Sequence, residues 1–176
     1  WEKASPVARV QIAATLAAIS RFAITESHYL SVLGSLRTGS LLVDEDPRVR
    51  QAVLANQMFP FAVVSHGAAE VLKQIADDQD KGVQLQIAIS LGGFSSKHGE
   101  RLLGRILRDN SSDPYIRNAA LSSLYSTPPG FSTTNLDGVI AEAMDDSRGA
   151  INEELVAILI EQAAAMGRPE AIAQPL

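Results

Sequence analysis

Residues 46–54 read Asp46-Pro47-Arg48-Val49-Arg50-Gln51-Ala52-Val53-Leu54. An Asp followed directly by Pro is a helix opening. The carboxylate accepts a hydrogen bond from one of the orphan backbone N–H groups of the first turn. Proline at the first helical position has no N–H to satisfy and a φ already set for the helix. Arg50, four residues beyond the cap, stands one turn above it, where it can pair with the Asp or reach a neighbouring segment. The same device returns elsewhere in the chain. Ser5-Pro6-Val7-Ala8-Arg9 and Asp113-Pro114-Tyr115-Ile116-Arg117 match it, and Asp80-Lys81-Gly82-Val83-Gln84 is a degenerate copy that lacks the Pro and has Gln for Arg. The starts at 5, 46, 80 and 113 are separated by 41, 34 and 33 residues. A further step of the same size reaches Asp146, just before a last apolar stretch from about Ile151 to Met166. The degenerate third start is predicted to be the weakest.

A second amphipathic helix follows each opening. Leu102, Leu103, Ile106 and Leu107 give the stripe expected of a helix with one buried face, as do Val71, Leu72, Ile75 and Ala76. Leu136, Val139, Ile140, Ala143 and Met144 repeat it, as do Tyr29, Leu30, Leu33 and Leu36. Breakers separate the helices at Phe59-Pro60-Phe61, Gly92-Gly93-Phe94 and Ser126-Thr127-Pro128-Pro129-Gly130. The chain therefore reads as one all-α repeat domain over 1–176, with about four helical hairpins and a partial fifth. The repeats fall at roughly 5–44, 46–79, 80–111, 113–145 and 147–176. Stacked repeats need polar caps at their ends. The stretch holding Leu155, Val156, Ile158, Leu159 and Ile160 is apolar on more than one side, so a covering segment beyond Leu176, or a partner, is expected. An opening on Trp1 rather than Met points the same way, to a piece of a larger protein.

The recurring Asp-Pro-x-Val-Arg-x-x-Ala pattern resembles HEAT repeats in their short form, as in phycobilisome-lyase-type HEAT-like proteins. That resemblance implies a right-handed α-α superhelix, a solenoid of the HEAT/armadillo type. The repeat length equals that of ankyrin and tetratricopeptide units, but neither the Thr-Pro-Leu-His signature nor the Trp/Leu-Gly/Tyr pattern occurs. Over residues 44–125, Asp46–Arg50, Gln84–Gly92 and Asp113–Leu124 also look like the HEAT segment of large secreted planctomycete-type proteins. In those proteins the segment lies between a sugar-dehydrogenase-like β-propeller and a c-type haem domain. The resemblance implies an extracytoplasmic setting, periplasmic or secreted, and a linking role between redox modules. The parent protein would then be a dehydrogenase, while this segment itself is no enzyme.

Composition narrows the partners. The 176 residues are 46% hydrophobic and 5% aromatic, which suits Ala/Leu/Ile helices and excludes a disordered chain. A formal charge of −5 argues against nucleic acid and anionic membrane, both of which call for a dense basic face. No stretch is long and apolar enough for membrane insertion. Without Cys the chain has no thiolate nucleophile, disulfide framework or covalent haem attachment, and no cofactor is expected.

Three histidines are the residues with the widest chemical scope. His28, His66 and His98 each fall near the start of a second helix, shortly after Ser27, Ser65 and Ser96. Neighbouring helices pack ~8–10 Å apart, whereas zinc holds its nitrogens at ~2 Å. A histidine ladder along a stack therefore reads as helix-entry residues, with protonation below about pH 6.5 as the chemical alternative. The pairs Ser5/Arg9, Asp46/Arg50 and Asp113/Arg117 recur at helix starts, and their periodicity marks them as structural caps rather than acid–base machinery. Lys73, Glu100, Arg101, Arg105 and Arg108, on second helices, are candidates for a concave partner-binding face. Pro129 and Phe131, in the Pro128-Pro129-Gly130-Phe131 loop, are candidates for a local recognition element.

The functional expectation is a non-catalytic scaffold that contacts a partner protein or adjacent domains of a larger extracytoplasmic, redox-associated protein. The alternatives are a HEAT-like lyase- or hydroxylase-type enzyme or chromophore-handling module, and a stand-alone cytoplasmic adaptor.

Overall fold

The computed structural model describes residues 3–21, 41–56, 74–91, 97–124, 136–145, 147 and 152–167. Among them the chain is all-helical, with no strand. Seven helices have defined bounds: α1 (Pro6–Arg21), α2 (Pro47–Ala55), α3 (Lys81–Ser90), α4 (Lys97–Asp109), α5 (Pro114–Ser123), α6 (Leu136–Ala143) and α7 (Glu153–Ala165). The expected second helices around Tyr29–Leu36 and at Val71–Leu72 lie outside the described residues, as does Pro169–Ala173; Ile75 is helical and buried.

The helix starts follow from their caps. The Asp46 carboxylate accepts from the Arg48 N–H at 2.9 Å, and Asp113 accepts from Tyr115 at 3.0 Å and Ile116 at 3.2 Å. The Ser5 hydroxyl accepts from Ala8 at 3.3 Å. Asp80 serves the degenerate start in the same way, accepting from Val83 at 2.9 Å. Helix α7 opens on Asn152, which accepts from Glu154 at 2.9 Å and Leu155 at 3.4 Å, six residues past the Asp146 that extrapolation reaches.

Counted from these caps, the same two positions turn inward. The third and seventh residues after the cap are Val49 and Val53, Val83 and Ile87, Ile116 and Ala120, and Leu155 and Leu159, and all are buried. In α1 the face is rotated by one residue, so that Arg9 and Ala13 are buried instead.

The chain divides into two compact units, Trp1–Ser90 and Leu91–Leu176, so the boundary falls inside the third sequence repeat. In the N-terminal unit α1 packs on α2 and α2 on α3. These are the opening helices of three successive repeats, in sequence order. In the C-terminal unit the main contact joins α4 to α6, the second helices of two successive repeats, and α4 also packs on α5.

Glycine sets the closeness of α4 and α6. A Cβ on Gly104 would lie 2.5 Å from the Val139 carbonyl oxygen and 2.8 Å from Glu142 Cβ, so only a bare backbone fits there. A Cβ on Gly138 would lie 2.7 Å from Oε2 of the buried Glu100. Around this approach Leu102, Leu103, Ile106 and Leu107 of α4 meet a core that holds Leu136, Val139, Ile140 and Ala143 of α6. Helix α7 buries a narrower stripe of Leu155, Leu159 and Ala163 and leaves Ile160 exposed.

Candidate functional site

Two constellations matter: the arginines near the helix starts, and a basic face on α4. The sequence left open whether the arginine four residues past each cap turns to its own Asp or to a neighbour. In Arg9 and Arg50 it turns away from its own cap, to an Asp two residues ahead of the next capping residue. Arg50 reaches from α2 to Asp78, Nε donating to Oδ2 at 2.6 Å and Nη2 to Oδ1 at 2.9 Å. Its remaining nitrogen, Nη1, donates to the Asp44 carbonyl at 2.6 Å and to that of Glu45 at 3.2 Å. The pair is enclosed, the side chains being 15% and 7% exposed.

Arg9 repeats the arrangement one repeat earlier. Nη1 donates back to the Ala4 carbonyl at 2.7 Å, and Nη2 donates forward to Asp44 Oδ1 at 3.0 Å. Nε lies 2.9 Å from Asp44 Oδ2, an ionic contact without hydrogen-bond alignment. Nη2 also donates to the exposed Glu45 at 3.3 Å.

Gln84, the neutral member of the series, keeps only the backward half, donating to the Asp78 carbonyl. Arg117 keeps the backward bond to the Ser111 carbonyl at 2.9 Å and reaches forward to Glu154 at 2.9 Å with that same Nη1. Glu154 is 65% exposed, and the buried Nε of Arg117 has no partner.

The acids that receive the arginines, Asp44 and Asp78, did not emerge from the sequence reading. Each also holds its own turn, Asp44 Oδ1 accepting from the Asp46 N–H at 2.9 Å and Asp78 Oδ1 from the Asp80 N–H at 3.0 Å. The signal was present as Asp44-Glu45-Asp46 and Asp78-Gln79-Asp80, an Asp two residues ahead of two of the three capping Asp residues, Ser111 standing there before Asp113. Beside them a cleft of about 580 Å3 is lined by Val43, Asp44, Arg50, Gln74, Asp78 and Gln79 among others. Its Asp78 is already paired with Arg50 and its Asp44 with Arg9, so it is not a built binding site.

At the surface of α2, the Arg48 guanidinium hydrogen-bonds the Asp46 carboxylate at 2.6 Å, and chiefly through that bond the Asp46 pKa falls from 3.8 to about 2.

The residues proposed for a partner face separate as follows. Arg101 is exposed and makes no ion pair or hydrogen bond among the described residues. The Arg105 side chain is 25% exposed, its Nε 3.4 Å from Asp109 Oδ2. Arg108 turns inward: its side chain is 9% exposed, Nη1 donates to the Glu142 carbonyl at 3.1 Å, and Nε donates to Asp109 at 3.1 Å. Lys73, Pro129, Phe131, His28 and His66 lie outside the described residues. His98 falls in the first turn of α4, its side chain outside those described. Among the described residues no group of three His, Cys, Asp or Glu is placed to hold a metal ion, and no helix is long and apolar enough to cross a membrane.

No protein-family model matches the chain, and no curated protein or solved structure matches it significantly. The class established by the described residues is an all-helical protein.

Proposed function

We propose that this chain is a HEAT-like α-solenoid whose work is to hold other protein surfaces, as a scaffold within a larger, extracytoplasmic, redox-associated protein. The observation that carries the reading is the forward reach of Arg9 and Arg50. Each leaves the opening helix of one repeat and grips an Asp ahead of the next, 35 and 28 residues further on. Bonds repeated at that interval are what side-by-side stacking of like units produces. They also commit these charged groups to architecture and leave them unsuited to proton transfer. The redox-associated, extracytoplasmic setting rests on the sequence resemblance.

The test is purification of the full-length parent protein under native conditions, with cross-linking and mass spectrometry. A neighbouring domain or a stoichiometric partner cross-linked to the repeats is the expected result. Absorption titrations with Fe(II), haem and bilin accompany it. A stoichiometric new band would replace the scaffold reading with the lyase- or hydroxylase-type one.

A further inference from the structure

In the N-terminal unit the bonds that join α1, α2 and α3 run on from one another without a gap. Arg9 on α1 donates to the Asp44 carboxylate at 3.0 Å. The backbone carbonyl of that same Asp44 accepts from Arg50 Nη1 on α2 at 2.6 Å. Arg50 grips the Asp78 carboxylate through its other two nitrogens. The Asp78 carbonyl, in turn, accepts from Gln84 on α3. The network thus passes through each Asp twice, entering at the carboxylate and leaving at the main chain. Both carboxylates also brace the turn that opens the next helix, accepting from the N–H groups of Asp46 and Asp80. Water has little access to the charged links, for the side chains of Arg9, Asp44 and Asp78 are 7%, 8% and 7% exposed. Enclosed hydrogen bonds are electrostatically stronger than those in water, and members of a connected series polarise one another.

We infer that this network is a coupling device: it ties the three helix starts into one cooperative element, so that a change at Arg9 is felt at α3. The mechanism is positional. When Arg9 releases the Asp44 carboxylate, the turn at 44–46 loses a brace, and the carbonyl that holds Arg50 Nη1 loses its fixed place. The guanidinium of Arg50 is a rigid planar fork, so a displaced Nη1 also misaligns the two bonds to Asp78. Asp78 then holds Gln84 less firmly. Energetic coupling between distant sites is carried by connected, packed and hydrogen-bonded groups of this kind. Substitutions at separated sites that share no partner ordinarily add. Arg9 and Gln84 share none, so departure from additivity is the distinguishing sign. The inference stands on these bonds alone and does not depend on the scaffold reading.

The test is a double-mutant cycle on the whole chain with Arg9→Met and Gln84→Ala, read by urea denaturation. Gln84 is neutral, so long-range Coulomb attraction to Arg9 does not imitate the effect. The double variant should be less destabilised than the single effects combined, by at least about threefold in the unfolding equilibrium constant, whereas independent sites agree within about twofold. Should Arg9→Met unfold the unit, Arg9→Lys, which keeps the charge and loses the fork, takes its place in the cycle. Amide hydrogen exchange supplies the second reading. Arg9→Lys is compared with Leu16→Ala, which empties a buried site on α1 away from the network. The Asp80 and Val83 amides should exchange at least about fivefold faster in Arg9→Lys than in Leu16→Ala, after each is normalised to its global stability. Additivity within twofold overturns the inference, and so does equal exchange of those amides in the two variants.

Discussion

The two compact units solve one problem, holding successive repeats together, by different means. In the N-terminal unit, guanidinium groups span the repeats: Arg9 and Arg50 are each enclosed, with an Asp ahead and a carbonyl behind. In the C-terminal unit the corresponding Arg117 meets an exposed Glu154 through one nitrogen, and the closest joining is the bare approach of Gly104 to the α6 backbone. Buried charge gives direction, since an Arg and Asp in the wrong register leave both ions unpaired. Glycine contact gives proximity, and it tolerates no added atom. The first unit is therefore sensitive to loss of a partner, the second to gain of volume.

The largest effect should come from Ile87→Asp, which sets a carboxylate on α3 at a site with no solvent exposure. A loss of about 4–5 kcal/mol is expected, read as a collapse of the melting temperature. A melting curve that hardly moves would mean that α3 is not interior.

Arg50→Ala comes next. It strands the Asp78 carboxylate, 7% exposed, and should cost about 3 kcal/mol by urea denaturation. Arg50→Met with Asp78→Leu should recover part of the loss, because it removes the orphaned ion but not the need of the Asp80 N–H and the Asp44 carbonyl for partners. Gly104→Ala should cost about 1–3 kcal/mol through overpacking, and its signature is loss of amide protection in α4 and α6 in hydrogen exchange. Arg117→Ala should cost less than about 1 kcal/mol, as a partly exposed pair does. If Arg117→Ala equals Arg50→Ala in cost, the contrast between the units is broken.

The smallest effect belongs to pH. The folded pKa of Asp46 lies below its ordinary value, at about 2 against 3.8. Its contribution is thus complete above pH 3.8 and is lost as pH falls toward 2. Arg48→Ala removes the cause, so the melting temperatures of wild type and variant should converge as acid is added through that window. A gap that widens instead would reverse the sign.

Much of this was written in short-range sequence. Ser5, Asp46 and Asp113 cap their helices by bonds spanning two or three residues, and spacing alone reveals such bonds. The stripes Leu102–Leu107 and Leu136–Met144 became buried faces for the same local reason. What spacing leaves undecided is the choice among partners that helix packing brings close. The Arg50 side chain can turn to its own cap or to an acid 28 residues away, and only the packing of α2 on α3 decides between them. Arg108 shows the same limit. Its place on an i, i+7 stripe with Arg101 suggests an outward cation, yet the Glu142 carbonyl of α6 draws it in. The cap of α7 is Asn152, six residues past the Asp146 that the repeat interval reaches and close to the Ile151 at which the apolar stretch begins.

The double duty of Asp44 and Asp78 has a consequence for rebuilding the molecule. Each carboxylate braces its own turn and receives the preceding repeat's arginine, so acceptor and donor travel together in one stretch of chain. Residues 44–77 contain the Asp44 that answers Arg9 and the Arg50 that seeks the next such acid. A second copy of that stretch, inserted after residue 77, would bring both complementary ends to its junctions. On the proposed repeat architecture, the unit of insertion begins two residues ahead of the capping Asp.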